Sequence, residues 1–172
     1  MKPLLPLILA ILSFPTLIRA AEDWSVEIVP TQVKADGTKH ITGDFFVITT
    51  NRTNRNLRVW QQWNSWGTYT ISFSVKPADG PSFNLEPSHT RLWTWNMPSF
   101  TIVEPGKSFV LTASISKDRN SRLEGFPEKF SEGPATVQAH FTIKEDEDTK
   151  RLGVWTGSAS SAPETISIRK PD

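Results

Sequence analysis

The chain has 172 residues, of which 37% are hydrophobic and 22% charged, and it contains no cysteine. This much apolar sequence supplies the core of one domain and excludes a wholly disordered chain. The lack of cysteine excludes a disulfide framework, a thiolate nucleophile and an iron–sulfur site. The formal net charge is +1 and the basic residues are interleaved with acidic ones, which argues against a nucleic-acid partner.

The first 20 residues have the order of a secretory signal peptide. Lys2 provides a positive charge, an almost unbroken apolar run extends from Leu4 to Leu12, and Ala20 occupies the small-residue position before a cleavage site. The run is too short to cross a bilayer, so we favour a cleaved signal peptide (1–20) over an uncleaved anchor. The prediction is a mature chain that begins at Ala21, is exported to the periplasm or the extracellular space, and has no stable membrane insertion.

From Ala21 onward the apolar residues recur mainly with a period of two, which is typical of strands that have one face on a core. The clearest example extends from Tyr69 to Val75, where apolar and polar residues alternate without a break. Turn dipeptides such as Asp79-Gly80 and Pro105-Gly106 separate such stretches. Strands are predicted, in chain order, at 24–28, 45–50, 57–61, 69–75, 91–97, 100–103, 109–115, 137–143 and 166–168.

About seven to nine short strands and no helical periodicity predict an all-β fold, an antiparallel sandwich formed by residues 21–172 as a single domain. The alternation assigns Phe73, Leu111, Val137 and Phe141 to the core between the sheets. We expect this domain to be monomeric.

Two charged segments interrupt the strand pattern. The segment from Lys117 to Pro134 is predicted to be a long crossing connection, with room for one helical turn. The acidic run from Glu145 to Asp148 is interpreted as the solvated tip of a hairpin. A loose calcium site is the alternative, but the run lacks the glycine and the spacing of a dedicated calcium loop.

Three segments carry a resemblance to a known class of extracellular domain. They are Phe45 to Thr53, a strand that ends in Asn and small polar residues; Phe100 to Phe109, with a Pro-Gly corner; and Glu132 to Phe141, followed by Val154 to Ser161, like a closing hairpin. Together they resemble bacterial immunoglobulin-like and fibronectin type III-like domains, which implies an immunoglobulin-like β-sandwich. Thr136 stands where such domains usually carry an aromatic residue, and there is no Cys…Trp…Cys core. The resemblance implies no particular function, since sandwiches host many unrelated activities.

No catalytic constellation is visible in the sequence. His40, His89 and His140 stand far apart, and no nucleophile motif, metal-ligand spacing or phosphate loop occurs. His140 falls on the polar side of its predicted strand, where we expect a solvated side chain. The sequence therefore predicts a protein that is not an enzyme and that needs no metal or other cofactor.

Tryptophan is the unusual feature, with seven in the chain. We expect Trp24 and Trp155 to fill the core. By contrast, the parity of the strand at 57–61 places Trp60 on its polar side, beside Arg58 and Gln62. An exposed ring flanked by amides and arginine is typical of a sugar-binding surface or a protein interface. The candidate binding residues are Trp60, Trp63, Trp66, Arg91, Trp93 and Trp95.

The spacing of Trp60, Trp63 and Trp66 adds a constraint. An odd spacing sends neighbouring side chains of an extended strand to opposite faces, so at least one of the three rings is expected to leave the core. The exception is a helical turn that brings all three to one side. Gly67, next to Trp66, permits a sharp change of direction.

These features predict a secreted, non-enzymatic binding or interaction module whose partner is a glycan or a protein. The alternatives are a peptidase inhibitor that presents loops Gln62 to Gly67 and Ser88 to Thr94, and a purely structural domain. Asn51-Arg52-Thr53 matches an N-glycosylation acceptor. It is equally explained by a structural asparagine that bonds its own turn.

Overall fold

The computed structural model describes residues 23–88, 96–115 and 123–169, and within these ranges the chain forms thirteen strands and two short helices. The predicted signal peptide and most of the predicted strand at 91–97 lie outside the described residues. None of the helices in the described ranges is long and apolar enough to cross a membrane. In chain order the elements are β1 Trp24–Val29, β2 Gln32–Val33, β3 Lys39–Ile41, β4 Asp44–Asn51, β5 Leu57–Trp60, α1 Ser65–Thr68, β6 Ile71–Pro77, β7 Phe83–Pro87, β8 Phe100–Val103, β9 Ser108–Ser114, β10 Leu123–Glu124, β11 Gly133–Ile143, α2 Glu147–Leu152, β12 Gly157–Ser160 and β13 Glu164–Ile168.

The strands form three sheets. The small sheet has the order β1-β4-β9, and a two-stranded sheet pairs β5 with β8. The large sheet has the order β10-β7-β6-β11-β13-β3-β2, with β12 also paired to β11. Pairing is antiparallel except between β13 and β3, which run parallel. The predicted all-β sandwich is therefore confirmed.

One core joins the sheets. Phe45 of the small sheet packs on Phe73 of the large sheet, with ring centroids 5.3 Å apart. The four residues assigned to the core are all at most 2% exposed, which confirms the predicted parity: Phe73, Leu111, Val137 and Phe141. Since a slip of one residue would expose all of them, the alternation fixes the register of these strands.

The described ranges contain more strands than the seven to nine predicted. Several of these strands are very short, and the predicted strand that corresponds to β13 is preceded by a further strand, β12. β12 and β13 lie one after the other along β11. Between them Ser161 bonds both backbone groups of Ala139, donating its N–H to the carbonyl at 2.9 Å and accepting the Ala139 N–H at its Oγ at 3.0 Å. Pro163, which has no N–H to donate, follows in the gap.

The acidic segment differs from the predicted hairpin tip, because α2 starts inside it. Asp146 caps the helix, accepting the backbone N–H of Thr149 at 2.7 Å, while its own N–H donates to Thr149 Oγ1 at 2.8 Å. Acids in the first turn and bases in the last match the helix dipole. Gly153 ends the helix with φ of 63°.

The predicted crossing connection is described only from residue 123 onward. There Leu123 is buried and pairs with Pro87, and no helical turn forms between Leu123 and Gly133. Phe126 and Phe130 pack on Phe83, with ring centroids 5.9 and 5.5 Å away. The connection therefore seals one end of the large sheet with aromatic side chains.

Candidate functional site

Trp60 is buried, with 2% of its surface exposed, so the prediction that it faces solvent is wrong. Its parity was assigned correctly, since Leu57 and Val59 face the core and Trp60 points the other way. That outer face is covered, however, by α1, whose Trp66 ring lies 6.1 Å from the Trp60 ring. Strand β5 is thus buried on both faces at its end, which a period of two cannot reveal.

Trp63 leaves the core as the spacing predicts, and its side chain is 61% exposed. The preceding Gln62 is not a free ligand-binding amide. Its Oε1 accepts the Thr112 N–H at 2.7 Å and its Nε2 donates to the Thr112 carbonyl at 2.5 Å. Gln62 therefore imitates a neighbouring strand and covers the open edge of β9.

Between Trp63 and Trp66 the chain turns into α1. Asn64 caps the helix by accepting the Gly67 N–H at 2.8 Å, and its Nδ2 donates to the Ser99 carbonyl at 2.9 Å. A Cβ atom on Gly67 would lie 2.1 Å from the carbonyl oxygen of Gln61. Glycine is therefore required here for close backbone approach rather than for an unusual φ.

Trp66 is half-buried and its orientation is fixed from two sides. One face of the indole contacts Trp60, and the indole Nε1 donates to Asp148 Oδ2 at 2.9 Å. The same carboxylate pairs with Arg151. The Arg151 hydrogen bond, and less strongly that of Trp66, holds the pKa of Asp148 below its ordinary value.

These contacts leave a cleft of about 380 Å³ between α1 and the end of β11. We call it the aromatic cleft. It is lined by the aromatic residues Trp66 and Tyr69, with the buried Trp60 behind them, and by the polar residues Ser65, Lys144 and Asp146. Of the three candidate tryptophans in this part of the chain, the structure therefore brings together Trp60 and Trp66, and leaves Trp63 outside.

A second cleft of about 370 Å³ is lined by residues around the start of β5, by α2 and by the residues that follow α2. We call it the arginine cleft, because Arg55 and Arg58 line it together with Asn56, Lys150 and Thr156. Trp155 also lines this cleft.

The ring of Trp155 is half-buried rather than fully in the core. It stacks on Phe141 at a centroid distance of 5.5 Å and an angle of 7°, and its Nε1 donates to Asp23 Oδ2 at 2.8 Å. Trp24, by contrast, is 1% exposed, as predicted. Trp155 is therefore held in a fixed orientation beside the arginine cleft.

The two clefts lie between the same two segments of the chain. Each is lined by residues of segment 55–69 on one side and by residues of segment 143–156 on the other. Three bonds join these segments: the Trp155 N–H donates to the Arg58 carbonyl at 2.8 Å, Arg58 Nη1 donates to the Leu152 carbonyl, and Trp66 donates to Asp148. Arg58 and Trp60 lie two residues apart on the same face of β5, so their Cα atoms are about 7 Å apart. The clefts therefore follow one another along a single seam.

Asn51 anchors the turn that carries Arg55. It is completely buried, and its Nδ2 donates to the carbonyls of Arg55 and Val103 at 2.8 and 2.9 Å. Its Oδ1 accepts the Thr53 N–H at 2.9 Å. The structural explanation of the Asn51-Arg52-Thr53 sequence is thus confirmed, since both amide hydrogens are already engaged.

His140 lies on the predicted side of β11 but is half-buried and bridged. Its Nε2 lies 2.7 Å from Ser74 Oγ and its Nδ1 lies 2.9 Å from Ser160 Oγ. His140 is therefore not the solvated side chain that was expected, and it connects strands β11, β6 and β12. The neighbouring backbone N–H groups belong to the sheet ladder, which leaves this group without the donors that stabilise an oxyanion.

The remaining sequence candidates are not placed. Arg91, Trp93, Trp95 and His89 lie outside the described residues, as does most of the loop Ser88 to Thr94. In the part of the chain that the structure describes, no three His, Asp or Glu side chains converge as metal ligands would.

The chain matches no protein-family model, and no curated protein matches it. The seam is therefore the candidate functional site in the part of the chain that the structure describes. Sequence reasoning missed Tyr69, Arg55, Lys144 and Asp146 as members of it. For Asp146 a signal was present in the helix-capping pattern with Thr149.

Proposed function

We propose that this protein is an exported, non-enzymatic binding module of the immunoglobulin-like type, and that it binds a carbohydrate in the aromatic cleft. The observation that carries this proposal is the meeting of Trp60, Trp66 and Tyr69 in one cleft with the polar side chains of Lys144 and Asp146. Sugar rings offer apolar C–H faces and hydroxyl groups, and these walls match both kinds of group.

The rigidity of the cleft supports the proposal. Trp66 is held by Trp60 on one side and by Asp148 on the other. A ring that is already ordered loses little conformational entropy when a ligand stacks on it, which favours binding. Trp63 lacks such supports among the hydrogen bonds and ring contacts of the described residues, and it lines neither cleft.

The strand arrangement supports the immunoglobulin-like part of the proposal. In such domains, strands A, B and E share one sheet while C, F and G share the other. Here β1, β4 and β9 occupy the first set, in chain order, and β6, β11 and β13 the second. Strand β8 lies where strand D is expected in the chain and pairs with β5 instead of with the small sheet.

The test is a screen of immobilised oligosaccharides, followed by calorimetric titration of the best binder. We expect Trp66→Ala and Tyr69→Ala to abolish binding and Trp63→Ala, the matched control, to leave it unchanged. Melting curves separate a lost contact from a lost fold. Peptides that bind in place of sugars, or full sugar binding by the folded Tyr69→Ala variant, would overturn the proposal.

A further inference from the structure

We propose that the arginine cleft binds a carboxylate of the same ligand, so that the carbohydrate is an acidic one built with uronic acid units. This inference rests on the proposed function and adds the chemical class of the ligand. It depends on the charges of the arginine cleft, which play no part in the stacking of a sugar on Trp66 and Tyr69.

The arginine cleft has an excess of positive charge, with the basic side chains of Arg55, Arg58 and Lys150 against the acids Asp23 and Glu145. Of the carboxylates that line the cleft, Glu145 pairs with Lys150 at 2.7 Å, and Asp23 accepts the indole N–H of Trp155. Neither Arg55 nor Arg58 forms an ion pair with any of the described residues. An anion in the cleft would therefore meet uncompensated positive charge.

Arg58 is held ready for such a ligand. Its guanidinium lies 4.8 Å from the centre of the Phe100 ring, and one of its nitrogens donates to the Leu152 carbonyl at the end of α2. The second terminal nitrogen keeps its donors. A guanidinium in a fixed plane suits the two oxygens of a carboxylate, which bind as a fork.

Arg55 completes the pair from the adjacent turn. Its side chain is exposed, while its backbone carbonyl is fixed by the buried Asn51. Asn56 and Thr156, which also line the cleft, add neutral donors and acceptors for hydroxyl groups. The cleft thus offers the mixed polar groups that an acidic sugar requires.

The position of this cleft selects one extended ligand rather than two separate ones. Both clefts open along the same seam, and Arg58 and Trp60 project from the same face of β5. A pyranose stacked on Trp66 and Tyr69 therefore has a neighbouring unit beside the arginines. A carboxylate on that unit would reach the guanidinium groups.

The probes are a neutral oligosaccharide and the same oligosaccharide oxidised at C6 to the uronate, on both gluco and galacto backbones. Titrated calorimetrically at low salt, the uronate is expected to bind roughly ten-fold more tightly, as a charge-assisted hydrogen bond implies. The preference should shrink at about 0.5 M NaCl, because salt screens exposed charges. Arg55→Ala is expected to reduce the preference, since Arg58 remains, and to leave both the melting temperature and the affinity for the neutral sugar unchanged. Arg52→Ala, an exposed arginine outside both clefts, is the matched control.

The outcomes separate this inference from the proposed function. Equal affinity for neutral sugar and uronate, or a preference that is undiminished in Arg55→Ala, overturns the acidic ligand and leaves the sugar-binding module standing. Binding of the uronate that is unaffected by Tyr69→Ala overturns the shared seam. Failure of every sugar, neutral or acidic, overturns the proposed function and this inference with it.

Discussion

The indole nitrogen of Trp66 donates a hydrogen bond of 2.9 Å to the carboxylate of Asp148, and this bond ties helix α1 to helix α2. The two residues are 82 positions apart in the chain. The bond sets the angle of the ring that forms the main wall of the aromatic cleft. The acid that orients the ring also pairs with Arg151, so the geometry of the cleft depends on the charge of Asp148.

The first prediction follows from that charge. Arg151 and, less strongly, Trp66 hold the pKa of Asp148 below its ordinary 3.8. A lowered pKa in the folded state means that the bond contributes stability above pH 3.8, and that this contribution is lost as the pH falls through the lowered pKa. Near-ultraviolet circular dichroism should report the loosening of Trp66 with a midpoint below pH 3.8.

Arg151→Gln is the variant that tests the cause. Removal of the stronger partner should move the midpoint upward, towards the ordinary carboxyl value. Arg169→Gln, which replaces an exposed arginine directly after β13, should leave it unchanged. A midpoint that stays in place when Arg151 is replaced would show that the ion pair does not control Trp66.

The second prediction concerns the centre of the core. Phe141 is fully buried and contacts the rings of Trp24, Phe109 and Trp155. Phe141→Ala should lower the free energy of unfolding by about 3–5 kcal/mol, since transfer and cavity costs add. Chemical denaturation measures it, and Phe46→Ala, whose ring is 45% exposed, should cost much less. A loss under about 1 kcal/mol at Phe141 would contradict the assigned parity.

The third prediction addresses Asn51. Asn51→Ala removes the buried bond to the Val103 carbonyl and leaves the Arg55 carbonyl with the Thr53 hydroxyl as a donor, so the free energy of unfolding should fall by about 1–3 kcal/mol. Asn54→Ala, on the exposed part of the same turn, should be close to neutral. When the protein is expressed in a glycosylating host, intact mass should show Asn51 unmodified in the folded fraction. A glycan found there in folded protein would refute the structural role.

The fourth prediction concerns export. The apolar run from Leu4 to Leu12 and the small residue Ala20 predict cleavage before Ala21. N-terminal sequencing of exported material should therefore begin at Ala21. Ala20→Arg places a large charged group at the cleavage position and should leave unprocessed precursor, while Ala21→Ser should be processed normally. Exported protein that begins at Met1 would contradict the prediction.

The sequence predicted the sandwich and its core because one local rule, alternation, governs both. For Phe73 and Phe141, parity alone is enough to assign the side chain to the core. Trp60 was placed wrongly since parity tells which face a residue occupies and not whether another element covers that face. Alternation also predicts a strand that begins at Tyr69, whereas β6 begins at Ile71. The helical turn before β6 depends on the cap of Asn64 and on the close backbone approach at Gly67, and alternation reports neither. The two clefts join segments about ninety residues apart in the chain, and such a meeting has no signal in local patterns.

The last prediction separates the three neighbouring tryptophans. Trp60 is 2% exposed and Trp63 is 61% exposed, so Trp60→Ala should lower the free energy of unfolding by about 3–5 kcal/mol while Trp63→Ala leaves it nearly unchanged. The stability loss of Trp66→Ala should fall between these two, because the change removes a half-buried ring and the bond to Asp148. Trp66→Ala should also remove sugar binding, whereas Trp63→Ala should not. Trp66→Phe keeps the stacking face without the indole N–H, so it should retain part of the binding. Denaturation and titration of the same four preparations give both readouts. If Trp63→Ala proved as destabilising as Trp60→Ala, the exposed position of Trp63 would be wrong, and with it the division of this segment into one core ring, one cleft ring and one solvent-exposed ring.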